Sequence, residues 1–289
     1  MARDADALVS DVLRPIALGR LDAAGRQEVQ RSLEVALGLL DAIGPDLVAA
    51  AGRVTVDAKS DGTPVTAVDR ETDARLVGGL TAALPGHGAV SEESDAVVPA
   101  TDWTWVLDPI DGTSNFGAGL PFWCVSLALC LEGAPVLGVI DAPALGLRVV
   151  ATAGGGARDG SGPVRVGPGV DPTDPSRSHV PALYSGGAAR RMFRGGAVLN
   201  ARLMGSTALD LAMVARGRAP LAVTLAPHAW DVAAGAVLVA EAGGTCGGFG
   251  TTPLFPLRPG TDLTHRIDAT VAAADADLAA RVVALAAAG

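Results

Sequence analysis

Apolar residues recur at helical spacing near the start of the chain. Between residues 22 and about 51 these positions are Val29, Leu33, Val35, Ala36, Leu39, Leu40 and Ile43. The spacing predicts one long amphipathic helix, with a break at Gly44-Pro45 because proline interrupts a helix. A second helix is predicted over residues 66–84, where Thr66 is a suitable N-cap.

Four β-rich runs follow the second helix: "GAVSEE", "TWVLDPID", "FWCVSLALCLEGAPVLGVIDAP" and "LRVVATAGGGARDG". Glu132-Gly133 lies inside the third run and predicts a hairpin turn. Later, "SHVPALYS", "AVLNARLMG" and "LAVTLA" predict strands, whereas "STALDLAMVARGRA" and "WDVAAGAVLVAEAGG" predict helices. The first half of the chain therefore has the pattern of an α+β protein, and the second half that of an α/β protein.

A stretch rich in Gly, Pro, Ser and Asp at residues 160–177 predicts a boundary between two lobes that pack together. We therefore expect an N-terminal extension at residues 1–22, an α+β lobe at 23–160 and an α/β lobe at 161–289. The part of the extension before Arg20 predicts an additional helix or a flexible arm.

Composition and charge narrow the function classes. Of the 289 residues, 49% are hydrophobic and 3% aromatic, which predicts a sizeable core of Val, Leu, Ala and Ile. A net charge of −9 without a Lys/Arg cluster disfavours nucleic-acid binding but leaves a small phosphorylated ligand open. No secretory signal and no membrane-spanning run is recognisable, so we expect a cytoplasmic protein that does not bind membranes. Cys124, Cys130 and Cys246 lack metal-binding spacing and predict buried free thiols.

Two carboxylates lie close together in "WVLDPIDGTSNF". Asp108 ends an apolar strand, since Pro109 removes a hydrogen-bond donor from the sheet, and Asp111 follows three residues later. Two adjacent anions repel each other, so a turn facing solvent, an arginine or a metal ion has to relieve the repulsion. Alone, the Asp111-Gly112 pair is typical of an ordinary turn.

Three further acidic positions stand beside apolar segments. Glu92-Glu93 closes an earlier strand, Asp231 lies in the first turn of an apolar helix, and Asp69 follows the turn in "DGTPVTAVD". Each has an ordinary explanation by itself, as an exposed acidic loop, a carboxylate favoured by a helix dipole or a turn residue. Together with Asp108 they offer hard oxygen ligands, which suit Mg²⁺ or Mn²⁺ rather than zinc.

Anion-binding turns accompany the carboxylates. Backbone N–H groups are expected to be exposed at Gly112, Gly205 and Asp231. A cation between the carboxylates would cancel their repulsion, and the nearby turns would hold an anion. The combination predicts metal-assisted hydrolysis of a phosphate ester.

The motifs "DPIDGTSNF" and "WDVAAG" resemble the two signature motifs of the inositol monophosphatase family of Mg²⁺-dependent, lithium-sensitive phosphatases. "DGTPVTAVD", "SEES" and "GSTALDLAMVARGR" are similar to further segments of that family in the same order, and the resemblance covers about residues 27–271. It implies a layered αβαβα sandwich of the sugar-phosphatase type. It also implies hydrolysis of a small phosphorylated metabolite by a metal-activated water, with two or three Mg²⁺ ions in each site.

The resemblance also assigns roles to residues. It implies a set of metal ligands consisting of Glu92, Asp108, Asp111, Asp231 and the backbone carbonyl of Ile110. Asp69 and Thr113 are expected to orient the attacking water, Glu92 to take part in catalysis, and Glu93 to lie behind the ligands. The backbone N–H groups of Gly112 and Thr113 are expected to hold the phosphate. The implied substrate contacts are Asp111, Gly112, Thr113, Gly205, Ser206, Thr207 and Thr224.

Two positions depart from the family pattern. Inositol-specific members carry a sugar-binding glutamate seven residues before the last metal aspartate, where this chain has Thr224, and Thr207 stands where a small alanine is usual. We therefore expect the metal chemistry to be kept, with a preferred substrate other than inositol phosphate: histidinol phosphate, a nucleotide 3′-phosphate or a sugar phosphate.

Two hypotheses of other classes remain. A non-catalytic metal- or phosphate-binding regulator would be expected to have lost a metal carboxylate, and none is lost. An interaction module with solvent-facing acidic loops leaves the ordered run of motifs unexplained. By analogy with the family, we expect a homodimer.

Overall fold

A computed structural model of the protein describes residues 13–58, 64–249, 255–267 and 269–288. The α-helices in these ranges are α1 (Ala23–Ala50), α2 (Ala67–Ala83), α3 (Thr113–Ala118), α4 (Gly186–Arg194), α5 (Thr207–Ala215), α6 (Ala229–Glu241) and α7 (Ala276–Ala288). The strands up to the middle of the chain are β1 (Leu13–Pro15), β2 (Asp57–Ala58), β3 (Pro64–Val65), β4 (Gly88–Ser91), β5 (Trp103–Asp111), β6 (Cys124–Leu131), β7 (Ala134–Ala142), β8 (Leu147–Thr152), β9 (Gly156–Asp159) and β10 (Gly162–Val164). The later strands are β11 (Pro181–Tyr184), β12 (Asn200–Arg202), β13 (Leu221–Leu225), β14 (Thr245–Phe249) and β15 (Ala269–Ala273).

Helix α1 is continuous, so the predicted break at Gly44-Pro45 is wrong. Asp22 caps the helix by accepting a hydrogen bond from the N–H of Gly25 at 2.7 Å. Pro45 lies inside the helix and removes one backbone donor. Ile43 and Leu47, on either side of it, are both buried in the core, and this burial holds the two halves of the helix in line.

The first sheet has seven strands in the order β10-β9-β8-β7-β6-β5-β4. Strands β4 and β5 are parallel, and the other pairs are antiparallel. Glu132 and Gly133 join β6 to β7 with φ angles of 49° and 77°, which confirms the predicted hairpin turn. Strand β10 still pairs within this sheet, and the lobe boundary at residue 160 stays a prediction.

The second sheet has six strands in the order β1-β14-β15-β13-β11-β12. Only β11 pairs in parallel, with β12 and β13, so the second half has less parallel sheet than an α/β pattern predicts. Strand β1 pairs with β14, near the other end of the chain. The described part of the N-terminal extension therefore contains a strand rather than the predicted helix or arm, and residues 1–12 lie outside the described ranges.

The two sheets and their helices form five layers. Neighbours on β5 face opposite sides: Trp105 packs in the cluster with α1 and α2, whereas Val106 packs with α5 and α6. On β13, Ala222 packs with α5 and α6, whereas Val223 packs with α4 and α7 on the outer face. This arrangement confirms the αβαβα sandwich, and it places α5 and α6 between the two sheets.

Local sequence did not predict every element. Helix α4 begins with two glycines, which have low helix propensity, and it buries only Ala188, Ala189 and Met192. Strands β14 and β15 and helix α7, which follow residue 244, were also missed. The three cysteines are buried and unpaired as predicted, and burial raises the pKa of Cys130 and Cys246 to about 12. None of the described helices is long and apolar enough to cross a membrane.

Candidate active site

A bulge at the end of β5 brings Asp108 and Asp111 to the same side of the sheet. Residues three apart face opposite sides of a regular strand. Asp108 pairs with Ser126 of β6 and Asp111 with Cys124, so two residues of β5 stand against one of β6. Strand β5 therefore continues beyond Pro109, where the sequence pattern predicted that pairing would stop. Proline is tolerated there because a bulge leaves a ladder position unpaired.

Asp231 completes a group of three carboxylates. It lies in the first turn of α6, and its Oδ2 accepts a hydrogen bond from the N–H of His228 at 2.8 Å. The hydroxyl of Ser126 donates to the carbonyl of Trp230 at 3.2 Å and fastens the start of α6 to the first sheet. One oxygen each from Asp108, Asp111 and Asp231 lies within 4.8 Å of the others.

Glu92 lies beside this group because β4 runs parallel to β5. Ser91, the last residue of β4, pairs with Leu107, and the N–H of Glu92 donates to the carbonyl of Leu107 at 3.3 Å. The next residue of β5 is Asp108, and the charge of Glu92 contributes to raising its pKa. Glu93 follows in the turn after β4.

Burial and mutual repulsion disfavour the charged form of these carboxyl groups. Burial raises the pKa of Asp108 well above its usual range, and the charges of Glu92, Asp111 and Asp231 raise it further. Burial also raises the pKa of Asp231 well above its usual range, and the charge of Asp111 adds to this. Burial raises the pKa of Asp111 to about 6, against hydrogen bonds from Ser206 and Ala208 that lower it.

This donor set fits a divalent cation. Across the described part of the chain, no lysine or arginine forms an ion pair with Asp108, Asp111 or Asp231. Carboxylate oxygens are the ligands that Mg²⁺ and Mn²⁺ prefer, and a cation would compensate the repulsion that raises these pKa values.

The start of α5 holds Asp111 in place. Its Oδ2 accepts hydrogen bonds from the Ser206 hydroxyl at 2.7 Å and from the N–H of Ala208 at 2.6 Å. Ser206 is also the N-cap of α5, since its Oγ accepts from the N–H of Leu209 at 3.3 Å. The Ser206 hydroxyl, expected at the substrate, is thus engaged with Asp111, and Thr207 is the first residue of the helix.

Glycine is required at two turns of the site. Gly112 precedes α3 with φ 100°, and a side chain there would place Cβ 2.9 Å from the carbonyl oxygen of Phe122. Gly205 has φ 80°, and its Cβ would lie 2.9 Å from Nδ2 of Asn115. Both turns therefore depend on the left-handed backbone that glycine adopts readily.

Asp69 and Thr113 form a second buried group next to β5. The Thr113 hydroxyl lies 3.1 Å from Oδ1 of Asp69 and 3.1 Å from the carbonyl of Ile110. Oδ2 of Asp69 accepts from the N–H of Thr66 at 2.9 Å and from the Thr66 hydroxyl. Thr66 in turn caps α2, as predicted. Burial raises the pKa of Asp69, and the hydrogen bonds from Thr66 and Thr113 oppose the shift.

Thr224 is not joined to the carboxylate group by any described hydrogen bond. It lies buried on β13 opposite Thr270. The role of Thr224 as part of the substrate wall therefore stays a prediction.

Two residues near the site were missed. The side-chain amide of Asn115 donates to the carbonyls of Phe122 and Met204, both at 2.7 Å, and ties together the loops before β6 and α5. Asp210 is buried in α5, and burial together with the charge of Asp111 raises its pKa well above its usual range. An aspartate within the otherwise apolar "ALDLAMV" was the available signal for Asp210.

Comparison with known proteins finds phosphatases of similar sequence and fold. A fructose-1,6-bisphosphatase/inositol-1-monophosphatase of Thermotoga maritima is 35% identical over 217 residues, which is 73% of this chain and 82% of the relative. A histidinol-phosphatase of Mycobacterium tuberculosis is 35% identical over 205 residues, 65% of this chain and 75% of that relative. The solved structure of a Thermotoga maritima IMPase superposes with a TM-score of 0.73 at 30% identity, covering 88% of this chain and 96% of that one.

The sequence profile of the inositol monophosphatase family matches residues 28–286, which include all the positions of the site described above. The chain therefore belongs to the inositol monophosphatase family and is a phosphoric monoester hydrolase.

Proposed function

We propose that this enzyme is a Mg²⁺-dependent phosphatase that hydrolyses a small phosphorylated metabolite with water as the nucleophile. The observation that carries the proposal is the group formed by the buried Asp108 with the half-buried Asp111 and Asp231. Within the described residues, no lysine or arginine forms an ion pair with these three carboxylates, and the group lies beside the start of α3. A purely structural acidic cluster would be expected to pair with basic side chains.

Glu92, Asp108, Asp111, Asp231 and the carbonyl of Ile110 would hold the metal. Bound Mg²⁺ supplies positive charge that activates a water molecule and stabilises the oxygens entering and leaving phosphorus. Asp108, whose pKa is raised by the charges of Glu92, Asp111 and Asp231, is the residue that would be shared between two ions. Mn²⁺ is the alternative metal, since it prefers the same ligands.

Thr113 and Asp69 would orient the water. The Thr113 hydroxyl donates to Oδ1 of Asp69, so its oxygen has lone pairs left to accept a hydrogen bond from water. The Thr66 hydrogen bonds fix the Asp69 carboxylate, and this fixes the direction of the Thr113 hydroxyl. A proton released by the water can then pass to Thr113 as Thr113 gives its own to Asp69.

The phosphate group would lie against the start of α3. The N–H groups of Gly112 and Thr113 begin that helix, where unpaired donors favour an anion. Gly205 and Thr207 would border the rest of the substrate from the start of α5. Thr224 would form the opposite wall and offer a hydroxyl without charge.

Substrates named for the relatives, together with the nucleotide 3′-phosphate suggested by the sequence, define the test. The panel contains inositol 1-phosphate, histidinol phosphate, fructose 1,6-bisphosphate and a nucleotide 3′-phosphate. Phosphate release is measured with metal-stripped protein, with added Mg²⁺, and with excess EDTA. We expect release from at least one substrate with Mg²⁺ and none with EDTA. Full release in EDTA would contradict the metal assignment, and no release from any substrate would contradict the proposed function.

Two further properties follow from the family. Lithium is expected to inhibit turnover by competing at a metal position. Unchanged turnover in lithium would show that this family property does not extend to the present enzyme. A homodimer is expected, and light scattering in solution measures it.

A further inference from the structure

Arg266 lies along the loop that joins β13 to α6. The N–H of Ile267 donates to the carbonyl of Pro227 at 2.8 Å, and Nη1 of Arg266 donates to the carbonyl of Ala226 at 2.8 Å. Two consecutive residues thus bond to two consecutive carbonyls of the loop. The guanidinium is therefore held in place both by its own hydrogen bond to Ala226 and by the backbone hydrogen bond of the next residue, Ile267.

The same loop links the predicted substrate wall to the carboxylate group. It begins after Thr224 and Leu225, and it ends where the N–H of His228 donates to Asp231. Ala226 has φ 53°, a left-handed conformation that a non-glycine residue adopts only when its surroundings hold it there. Ala226, whose carbonyl accepts from Nη1 of Arg266, lies two residues after Thr224 and five residues before Asp231, so the guanidinium lies against the loop that joins them.

The guanidinium of Arg266 keeps most of its hydrogen-bonding capacity. Its side chain is exposed, and the bond to Ala226 leaves the other N–H donors of the planar fork available. It forms no ion pair with any described carboxylate. Arg148 and Arg216 differ in this respect, since each is paired with aspartates.

We propose that Arg266 binds a second anionic group of the substrate, so that the enzyme prefers phosphate monoesters that also carry a carboxylate or a second phosphate. The inference rests on the proposed function. A planar guanidinium binds both kinds of anion through paired, charge-assisted hydrogen bonds. Thr224 on the adjoining strand adds no negative charge that would repel such a group.

Matched substrate pairs test the proposal. The first pair is 3-phosphoglycerate and glycerol 3-phosphate, which differ in a carboxylate. The second pair is fructose 1,6-bisphosphate and fructose 6-phosphate, which differ in a phosphate. We measure kcat/KM for wild type, R266Q and R266K, and for R281Q as a control. Arg281 is an exposed arginine that pairs with Asp171, so its replacement removes the same charge elsewhere on the surface.

We expect wild type to prefer the more anionic member of at least one pair. R266Q should lower kcat/KM for that member by about tenfold or more, because a hydrogen bond between charged groups is lost. The less anionic member should change less than about twofold, R266K should retain part of the preference because it keeps the charge, and R281Q should leave the preference unchanged.

Three outcomes would overturn the proposal while the proposed function stands. The first is a wild type without preference in either pair. The second is an R266Q variant that affects both members of a pair equally. The third is an R281Q variant that reduces the preference as much as R266Q does. An equal effect of R266Q would show that Arg266 only supports the loop at Ala226. The pair that responds identifies the anion as carboxylate or phosphate. Absence of phosphate release from every substrate would instead contradict the proposed function itself.

Discussion

Replacing Asp111 by asparagine is expected to stabilise the metal-free protein while it impairs metal binding. The carboxylate lies beside Asp108 and Asp231, and no described basic residue pairs with it. Asparagine keeps one oxygen that can accept from both Ser206 and Ala208, so the anchoring at α5 survives. The substitution therefore removes mainly the charge.

The magnitude follows from the pKa of Asp111. Burial raises it to about 6, although hydrogen bonds from Ser206 and Ala208 lower it. An unfolded aspartate has a pKa of about 3.9, so charging Asp111 in the folded protein costs about 3 kcal/mol at pH 8. At pH 5 the folded group is mostly protonated, and the cost falls to about 1.5 kcal/mol. In the metal-free wild type, the raised pKa of Asp111 therefore lowers the free energy of unfolding progressively as the pH rises from about 4 to about 6.

Urea unfolding of chelator-treated protein measures these values at pH 5 and pH 8. We expect D111N to be more stable than wild type by about 3 kcal/mol at pH 8 and by about half as much at pH 5. Added Mg²⁺ should reverse the order at pH 8 once it reaches about 1,000 times its Kd, because a ligand then contributes about 4.1 kcal/mol to the protein that binds it. D102N, which removes an exposed carboxylate, should stay within about 0.5 kcal/mol of wild type.

Equal stability of metal-free D111N and wild type at pH 8 would refute this reasoning. It would mean that the charge of Asp111 is already compensated inside the protein, and the argument for a cation at this position would fail. A D111N variant that gains as much stability from Mg²⁺ as wild type would refute the ligand assignment instead.

Four other substitutions test separate parts of the site. D108N and D231N should each lower kcat by about a hundredfold or more at saturating Mg²⁺, as the loss of a few kcal/mol of transition-state stabilisation does, and near-normal turnover would exclude the residue as a ligand. T224E should raise kcat/KM for inositol 1-phosphate more than for the best substrate of the panel, because a carboxylate accepts from two vicinal hydroxyls; a wild type that already prefers inositol 1-phosphate would contradict this. S206A should weaken Mg²⁺ binding by about 10- to 100-fold in calorimetric titration, since it removes one of the two hydrogen bonds that hold Asp111. D22A, by contrast, should reduce stability by about 1 kcal/mol through a lost helix cap and leave the affinity unchanged.

Short-range patterns were sufficient for much of the fold. The apolar stripe of α1, the capping residue Thr66 and the Glu132-Gly133 turn are all local signals, and each element formed as they predict. The order of the family motifs also indicated the layered sandwich and the chemistry. Helix α4 was missed because its glycines are poor helix formers, so packing rather than propensity holds it.

The metal-ligand candidates could be named from the sequence because each adjoins an apolar segment, but their convergence depends on distant contacts. Asp108 and Asp111 face one side only because of the bulge against β6, a pairing that no local pattern near Pro109 reveals. The pairing of β1 with β14, near the other end of the chain, could not be predicted either, because neither segment alone shows which strand it will pair with.

Residue types set which chemistry is available to this protein, because carboxylates, glycine turns and helix caps are properties of single positions and their neighbours. Packing between layers set how those groups are used. It brought Asp231 from α6 to the end of β5, engaged the Ser206 hydroxyl with Asp111, and laid Arg266 against the loop after Thr224. Burial in that interior raises the pKa values of the carboxyl groups, an effect that depends on surroundings which only the folded chain provides.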